Sequence, residues 1–324
     1  MATPTGLASK LRQVQIGKET TWGTAVAATR RLAVQEATFK PNIQTEPITE
    51  LGTLAPAVDV DIVYKDGGEI ELKGYLNVED FQYYMDGTFA AATPSGAGPY
   101  ARTWTAPHRL AYAPNSYTLE YGQAGGLYKA AGCLVSKFEI TGKIKEWLMF
   151  TITFIAKEVT TLSSLAALAD PVYTRIRAAD CGLTIDPTTP LTTTIASTLL
   201  EMKFSFTTNI HNKPYMGQLG PAGFGIDGWE ADGEIKAEFT SAIKAELDAV
   251  LTATTAVKRF VGFTIARGTS SIDLAFAAAW NSSEQTMFDD ENGNQALTLA
   301  MIPYHSATVG GFVSCDSTSS IASI

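Results

Sequence analysis

The sequence predicts a mainly β protein with two tandem units of similar fold, each a β-sandwich or half-barrel carrying one short α-helix. Apolar and polar residues alternate with the two-residue period of strands over most of the chain. A stretch of the first half recurs in the second half. The length of 324 residues suits about two domains of roughly 150 residues each. We expect units over residues 1–170 and 171–324, because a strand-poor segment ends before Pro171.

The repeat begins at Phe39 in the first half and at Phe206 in the second. A Phe, an Asn, an Ile and a Pro recur 167 residues apart, a Leu-Gly pair 168 apart, and a Glu-Ile pair 165 apart. Loops of a duplicated fold tolerate such small offset changes. A strand precedes each copy and a helix follows it, which favours duplication. The alternative is two unrelated sheet domains that share common turn chemistry.

The first unit opens with an expected N-terminal arm, residues 1–15. Two glycines make Ile16–Ala25 a turn segment. A strand is predicted from Leu32 to Ile43. Weak periodicity from Ile48 to Lys65 predicts a long loop, and loops of that length are usually functional. The turn signal Asp66-Gly-Gly then introduces an alternating strand.

A short helix is predicted from Val78 to Tyr84, with Asn77 as its N-cap and acidic residues in its first turn. Residues 90–116 are rich in Ala, Pro, Gly and Ser, which indicates a loop with one strand near Tyr100–Thr105. Three further strands are expected: Tyr117–Tyr121, Leu134–Ile144 and Glu146–Lys157.

The second unit is predicted to hold a helix over Ser241–Leu251. Its later strands are expected at 260–266, 272–279 and 295–302, and a Gly-rich loop is expected at 221–228. A short helix is expected at 163–169, just before the second unit begins. The Thr-rich run 189–197 is expected to order only on assembly. The Ser-rich end, 310–324, is expected to form a second arm.

Composition limits the function classes. Hydrophobic residues make up 45% and charged residues only 18%, which predicts that part of the surface is buried against other chains. The net charge is −9 and no basic patch occurs, which argues against a protein that grips duplex DNA. The most apolar run, Trp147–Ile155, is too short for a membrane helix and reads as a buried strand. The start of the chain has no signal-peptide pattern.

Candidate catalytic and metal sites are weak. His108, His211 and His305 stand isolated in predicted loops, without metal-ligand spacing. Cys133, Cys181 and Cys315 are odd in number and far apart, which argues against a disulfide framework and suits a reducing compartment. No GxSxG or HExxH motif occurs, so we expect no enzyme and no cofactor.

Three acidic or polar patterns are better explained by structure. Asp289–Asn294 lacks the alternating ligands and the final Glu of a calcium loop, and is predicted to be a polar turn between strands. Asp59 and Asp61 form a carboxylate pair without a partner motif, so exposed loop charges are expected. Asn281-Ser-Ser matches a glycosylation acceptor, but nothing else indicates secretion.

At Ile16-Gly-Lys-Glu-Thr-Thr-Trp-Gly-Thr-Ala25 the sequence resembles the tail tube (major tail) proteins of phages with long non-contractile tails. The features are Gly17-Lys-Glu19, Gly23-Thr24, a strand entering a long loop, Gly-Glu-Ile, a short helix and further strands. The order of elements extends the resemblance over the first half. The second half has Thr184-Ile-Asp186 instead of Gly-Lys-Glu, so there the match depends on the internal repeat.

The resemblance implies a structural virion protein whose stacked rings form a hollow tube for DNA ejection, with inner sheets joined between subunits into a ring-shaped barrel. It also implies that a long loop contacts neighbouring rings. By analogy, the stacking loop contains Ile48, Leu51, Leu54, Val58, Asp59, Asp61 and Tyr64. The corresponding second-copy loop contains Tyr215, Leu219, Phe224 and Trp229.

The duplication departs from the usual single-domain family pattern, in which six chains form a ring. Two tube domains per chain would give an equivalent ring from three chains, a pseudo-hexamer. Pairing around a closed ring would also satisfy open sheet edges. An acidic channel wall would repel DNA, which passes without specific binding. Candidates for that wall are Glu69, Glu71, Glu234 and Glu238, although an outer solvated face is an equal alternative.

By resemblance, the partners are copies of this chain, together with tape-measure and tail-completion proteins, and not membranes. The location is the virion tail, after assembly in the host cytoplasm. Two alternatives remain at this point. One is another tube-forming protein, such as a secretion-type tube or a tail terminator. The other is a two-domain carbohydrate-binding module, which would need exposed aromatic residues such as Trp104, Trp229 or Trp280.

Overall fold

The computed structural model describes residues 11–106, 108, 112–123, 126–195, 198–281, 283, 286–291 and 293–324. The chain is mainly β, with two helices among these residues, α1 (Val78–Thr88) and α2 (Ser241–Thr252). The strands of the first half are β1 (Gln13–Lys18), β2 (Arg30–Arg31), β3 (Glu36–Ile48), β4 (Asp59–Tyr75), β5 (Tyr100–Thr105), β6 (Tyr117–Gln123), β7 (Gly126–Lys143), β8 (Met149–Ala156) and β9 (Glu158–Thr161). Those of the second half are β10 (Cys181–Asp186), β11 (Thr194–Ile195), β12 (Leu199–Thr207), β13 (Ile210–Lys213), β14 (Gly223–Ile226), β15 (Glu230–Glu238), β16 (Lys258–Arg267), β17 (Ser270–Trp280), β18 (Thr286–Glu291), β19 (Asn294–Pro303) and β20 (Val313–Ser319).

One antiparallel sheet, called the main sheet here, runs through both halves in the order β3-β4-β8-β7-β12-β15-β19-β18. The halves meet where β7 pairs with β12, from Lys137 opposite Thr207 to Lys143 opposite Glu201. Alternation explains this sheet, because Ile70, Leu72 and Ile235 face the core while the residues between them are polar and more exposed.

The remaining strands form two series with the same pairing order. In the first half β2-β1-β6-β7-β9 are neighbours, and in the second β11-β10-β16-β17-β20 are neighbours. The main sheet repeats in the same way, as β3-β4-β8-β7 and β12-β15-β19-β18. The shared pairing order supports the predicted duplication, which together with the division at residue 170 stays a prediction. One strand departs from this shared order, since β5 of the first half pairs with β20 of the second.

The strand register corrects the predicted repeat alignment. Phe39 lies opposite Ile70 in the first half, but Phe206 lies opposite Ala231, and Ile235 lies opposite Met202. The match of Phe39 with Phe206 and the match of Ile70 with Ile235 therefore cannot both hold in one strand register. At least one of these two matches is wrong. Alignment on the helix N-caps, Asn77 and Thr240, matches Ile70 of β4 with Gly233 of β15. Their cross-strand partners are Phe39 and Phe204, so Phe39 matches Phe204 in this alignment. Isolated identities misplaced the alignment because hydrogen-bond register is invisible in the sequence.

Helix α1 lies inside the protein. It begins after the predicted cap, where the Asn77 side chain accepts a hydrogen bond from the Asp80 amide at 2.8 Å. All eleven residues are buried, including five polar ones. Each of these five polar side chains has hydrogen-bond partners, as a low-dielectric interior requires. Glu79 accepts from Thr174, Asp80 from Arg30, and Asp86 from Lys18 and the Trp104 indole.

The remaining segment predictions have mixed outcomes. Strand β5 and helix α2 lie where they were expected, and Asp289–Asn294 spans the β18–β19 turn. Residues 163–169 form no helix. The Ser-rich end is not an arm, because β20 pairs with β17 and β5 and buries alternate small residues such as Cys315 and Ser317. Of the predicted N-terminal arm, residues 1–10 lie outside the described residues. In the Thr-rich run, residues 196–197 do too.

Candidate assembly surface

The predicted stacking loop is mostly a β-hairpin. Strand β4 begins at Asp59, so only residues 49–58 connect it to β3. The alternation Val58, Val60, Ile62 with Asp59 and Asp61 was the overlooked strand signal. Pairing with β8 begins only at Gly68, so nine residues of β4 project about 30 Å beyond the sheet at roughly 3.3 Å each. We call this projection, residues 42–67, the long hairpin.

The long hairpin exposes apolar side chains. Leu51 and Leu54 at its tip are fully exposed, and Ile48, Val58, Val60, Ile62 and Val63 are exposed along its strands. Its two faces differ. Val60 lies opposite Pro47 on one face, whereas Asp61 lies opposite Glu46 and Asp59 opposite Ile48 on the other, so the three carboxylates share one face. Such a patch on an isolated chain marks a contact surface.

Tyr64 lies nearer the sheet than the tip. Its hydroxyl is buried and has no hydrogen-bond partner among the described residues. Desolvation, assisted by the charge of Asp66, raises the pKa of this phenol, so Tyr64 stays protonated. Tyr64 therefore belongs to the base of the long hairpin.

A second, shorter hairpin consists of β13 and β14 with the connection 214–222. Tyr215 and Leu219 are exposed there, as expected for the second-copy loop, and so is the unpredicted Met216. The two hairpins touch: the Lys65 amide donates to the Leu219 carbonyl at 2.8 Å, and Asn212 donates to the Asp66 carbonyl at 3.1 Å. The structure therefore brings together the two predicted loops, which lie far apart in the sequence.

Phe224 and Trp229 do not lie at a loop tip. Phe224 packs against Trp22, with ring centroids 5.5 Å apart. Trp229 is partly buried and stacks on Phe89 at 5.4 Å. The structure does not place them in the exposed connection, because Phe224 belongs to strand β14 and Trp229 directly precedes β15.

The four candidate wall residues, Glu69, Glu71, Glu234 and Glu238, share one face of the main sheet, on the side away from the core. Residues that lie opposite each other on antiparallel strands point to the same side of the sheet, so the register from strand to strand places all four glutamates on one face. This polar face is mixed in charge and not uniformly acidic. Its charged residues in the described strands are Glu36, Lys40, Glu69, Glu71, Lys73, Lys137, Glu139, Lys143, Glu201, Lys203, Glu230, Asp232, Glu234, Lys236, Glu238 and Asp289.

Carboxylates outnumber lysines on the polar face, so its net charge is negative. Several lysines are paired with these carboxylates: Lys40 with Glu69 at 3.6 Å, Lys73 with Glu71 at 3.0 Å and Lys236 with Asp289 at 2.6 Å. The hydrogen bond and charge of Glu71 raise the pKa of Lys73, which keeps its ammonium charged. The sequence does not show that these lysines share a face with the four glutamates, because strand register depends on which strands pair.

The main sheet ends in two open edges. Within the described residues, β3 pairs only with β4, and β18 pairs only with β19. A groove of about 820 Å³ lies beside the β3 edge, lined largely by apolar and aromatic side chains, among them Ala37, Phe39, Tyr121, Tyr128 and Val159. An open edge offers unpaired N–H and C=O groups to another chain. The β7–β12 junction shows the kind of antiparallel pairing that such edges accept.

The Gly-Lys-Glu signature has a structural role. Glu19 is 6% exposed, and its carboxylate accepts four hydrogen bonds: from the Gly23 and Gly132 amides and from the Ser116 and Thr118 hydroxyls, at 2.8–2.9 Å. This ties the turn after β1 to β6 and β7. Asp186 ends β10, the counterpart of β1, and accepts from both amides of Thr192 and Thr193.

Evidence for other site classes is weak. His108, His211 and His305 are exposed, but none is isolated. The rings of His108 and His305 stack at 3.4 Å, and His211 lies in strand β13, where its Nδ1 is 3.5 Å from an Asp227 carboxylate oxygen. The described residues contain no cluster suited to a metal ion. Trp104 and Trp280 are buried and donate to Asp86 and Glu246, so they cannot form a sugar-binding ledge. No helix in the described part has the length and apolarity needed to span a membrane.

A comparison with protein families identifies the family of the chain. The model of a family described as phage tail tube protein matches residues 9–308, which is most of the chain. No curated protein matches the sequence.

Proposed function

The chain belongs to the phage tail tube protein family and is a structural protein of the phage tail, and from this premise we propose that its stacked rings form the conduit for DNA ejection. The tail would be the long, non-contractile kind. Assembly would take place in the host cytoplasm, with tape-measure and tail-completion proteins as further partners. Copies of this chain are the principal partner.

The observation that carries the proposal is the junction of β7 with β12. This junction joins the two halves of one chain into a single eight-stranded main sheet. In the pairing order shared by the two halves, β18 takes the place of part of β7, and β3 takes the place of β12. The same pairing between chains would therefore join β18 of one copy to β3 of the next. Closing a ring in this way removes both open edges.

Three chains would complete such a ring as a pseudo-hexamer, since each chain supplies two similar units. The groove beside β3 would then receive the incoming edge. The polar face of the main sheet would line the channel. Its net negative charge would repel phosphates, within a screening length of about 8 Å at physiological ionic strength. The lysines on this face would limit that repulsion, which suits passage without tight binding.

Negative-stain electron microscopy of the purified full-length chain tests this function. We expect rings or extended hollow tubes, because open edges and the apolar long hairpin favour association. A chain that stays monomeric at high concentration, with no rings at any salt concentration, would contradict the proposal. Deleting the connection 49–58 serves as a comparison: it should leave single rings but shorten the tubes.

A further inference from the structure

A cleft of about 670 Å³ lies at the end of the main sheet opposite the long hairpin. Strand β4 links the two features, because the long hairpin contains its first residues and Tyr75, its last, lines the cleft. From Gly68 to Tyr75 the strand covers about 23 Å at roughly 3.3 Å per residue. A copy placed along the strand direction would therefore present its long hairpin to this cleft.

The cleft combines aromatic and cationic side chains. Trp147 is 37% exposed and its ring centroid lies 6.0 Å from that of Tyr75. The guanidinium of Arg267 lies 5.4 Å from the Trp147 ring, and that of Arg175 lies 5.8 Å from the Tyr173 ring. The Arg267 guanidinium donates a hydrogen bond to the Arg175 carbonyl, and among the described residues no ion pair joins Arg175 or Arg267 to a carboxylate. The cleft thus offers two cations beside an exposed aromatic surface.

The long hairpin offers the complementary chemistry. Its exposed apolar side chains match the Trp147 and Tyr75 rings, and its acidic residues Glu46, Glu50, Asp59 and Asp61 match the two guanidiniums. No Lys or Arg lies between Pro41 and Tyr64 to oppose this pairing. Aromatic and arginine side chains are also the types enriched where protein interfaces derive most of their affinity.

We propose that the cleft formed by Tyr75, Trp147, Tyr173, Arg175 and Arg267 is the receptor for the long hairpin of a second copy in the adjacent ring. This inference rests on the proposed tube function and specifies its stacking contact. Leu51 and Leu54 enter against the aromatic rings, and the acidic face of the long hairpin turns toward Arg175 and Arg267. Electrostatic complementarity of this kind fixes the register of the contact.

Cysteine cross-linking between two differently substituted chains tests the contact. The background is Cys181→Ser, because Cys133 and Cys315 are buried. One chain carries Leu51→Cys or Leu54→Cys, and the other carries Gln35→Cys, an exposed residue lining the cleft. We expect a disulfide-linked dimer in mixed tubes under mild oxidation. The matched control replaces Gln35→Cys with Leu251→Cys, a 66% exposed position on α2, and should give none.

Charge reversal gives an independent readout. The double variant Arg175→Glu, Arg267→Glu should still form rings, but the concentration needed for tube growth should rise about tenfold or more, because like charges then face each other. Adding Asp59→Lys and Asp61→Lys should restore growth in part. Tube growth is measured by light scattering and microscopy.

The outcomes separate the two proposals. If the unsubstituted chain forms no rings or tubes, the proposed function fails. If tubes form but neither tip cysteine links to Gln35→Cys, or if the charge-reversed chain grows tubes normally, only the receptor assignment fails. A cross-link in the mixed tubes together with rings that no longer stack would support both.

Discussion

Glu19 shows how one residue can stabilise the join of three segments. Its buried carboxylate accepts two amide and two hydroxyl hydrogen bonds from the turn after β1, from β6 and its preceding residue, and from β7. Hydrogen bonds to a charged group are stronger than neutral ones, and a donor left unsatisfied in the interior is costly. The signature that resembles the family is therefore explained by packing of the fold.

Glu19→Gln should lower the free energy of unfolding by about 2–3 kcal/mol, because the new amide group would face the backbone N–H of Gly23 or Gly132, which cannot accept a hydrogen bond. Urea unfolding of the full chain below its assembly concentration measures this. Glu69→Gln, which removes a half-exposed ion pair with Lys40, is the control and should change stability by less than about 1 kcal/mol. Equal losses in both variants would contradict the role given to Glu19.

Asp186 should make stability depend on pH. Desolvation by itself would raise its pKa, but hydrogen bonds from Thr193 and Thr192 together lower it below the ordinary value. A lowered folded-state pKa contributes stability above the unfolded value, and that contribution is lost as pH falls through the folded pKa. Asp186→Asn should therefore cost about 1–2 kcal/mol at pH 7 and less in acid. Urea unfolding at a series of pH values checks this, and a pH-independent loss would contradict it.

At the scale of elements, α1 is organised by its surroundings. A helix buried on every side tolerates little extra volume, whatever its intrinsic propensity. At Gly87 an added methyl group would meet Tyr117 and Val135, each at 2.8 Å. The glycine therefore allows α1 to approach β6 and β7 closely.

Gly87→Ala should destabilise the fold by about 1–3 kcal/mol through overpacking, although Ala favours helices by about 1 kcal/mol over Gly. Thermal unfolding of the full chain measures the change. Gly126→Ala is the matched control, because an added methyl group meets open space there. If the Gly87→Ala chain is as stable as the control, the side chains around Gly87 can accommodate a methyl group and the predicted overpacking is contradicted.

The long hairpin is the opposite kind of element, since its strands carry apolar residues to solvent on a projection about 30 Å long. Two-stranded hairpins have marginal stability by themselves, so a partner surface would stabilise the long hairpin. The cleft at the other end of β4 supplies the matching chemistry.

At the scale of the whole molecule, the proposed ring makes a prediction of mass and symmetry. Native mass spectrometry should give a ring of three 34.6 kDa chains, and averaged end-on images should show three-fold symmetry with a six-fold appearance. The reason is that each chain supplies two units to one closed sheet. A ring of six chains would contradict the pseudo-hexamer while leaving the tube function intact.

The sequence by itself determined the strand-rich class, the two main helices, the N-cap of the first helix, and the family signature. Alternation, capping residues and turn glycines are local signals, and they act over a few residues. The strand start at Asp59 was equally local and was missed because loop length outweighed a short alternation. The repeat was visible in outline, whereas its register was not.

Only the tertiary structure decided that β7 pairs with β12, that β5 crosses to β20, and that the Ser-rich end is a core strand. It also decided that Trp104 and Trp280 are buried, and that Tyr75 and Arg267 line one cleft. These relations join residues far apart in the chain. Pairing register and burial depend on which surfaces meet after folding, and no local pattern of side chains records that choice.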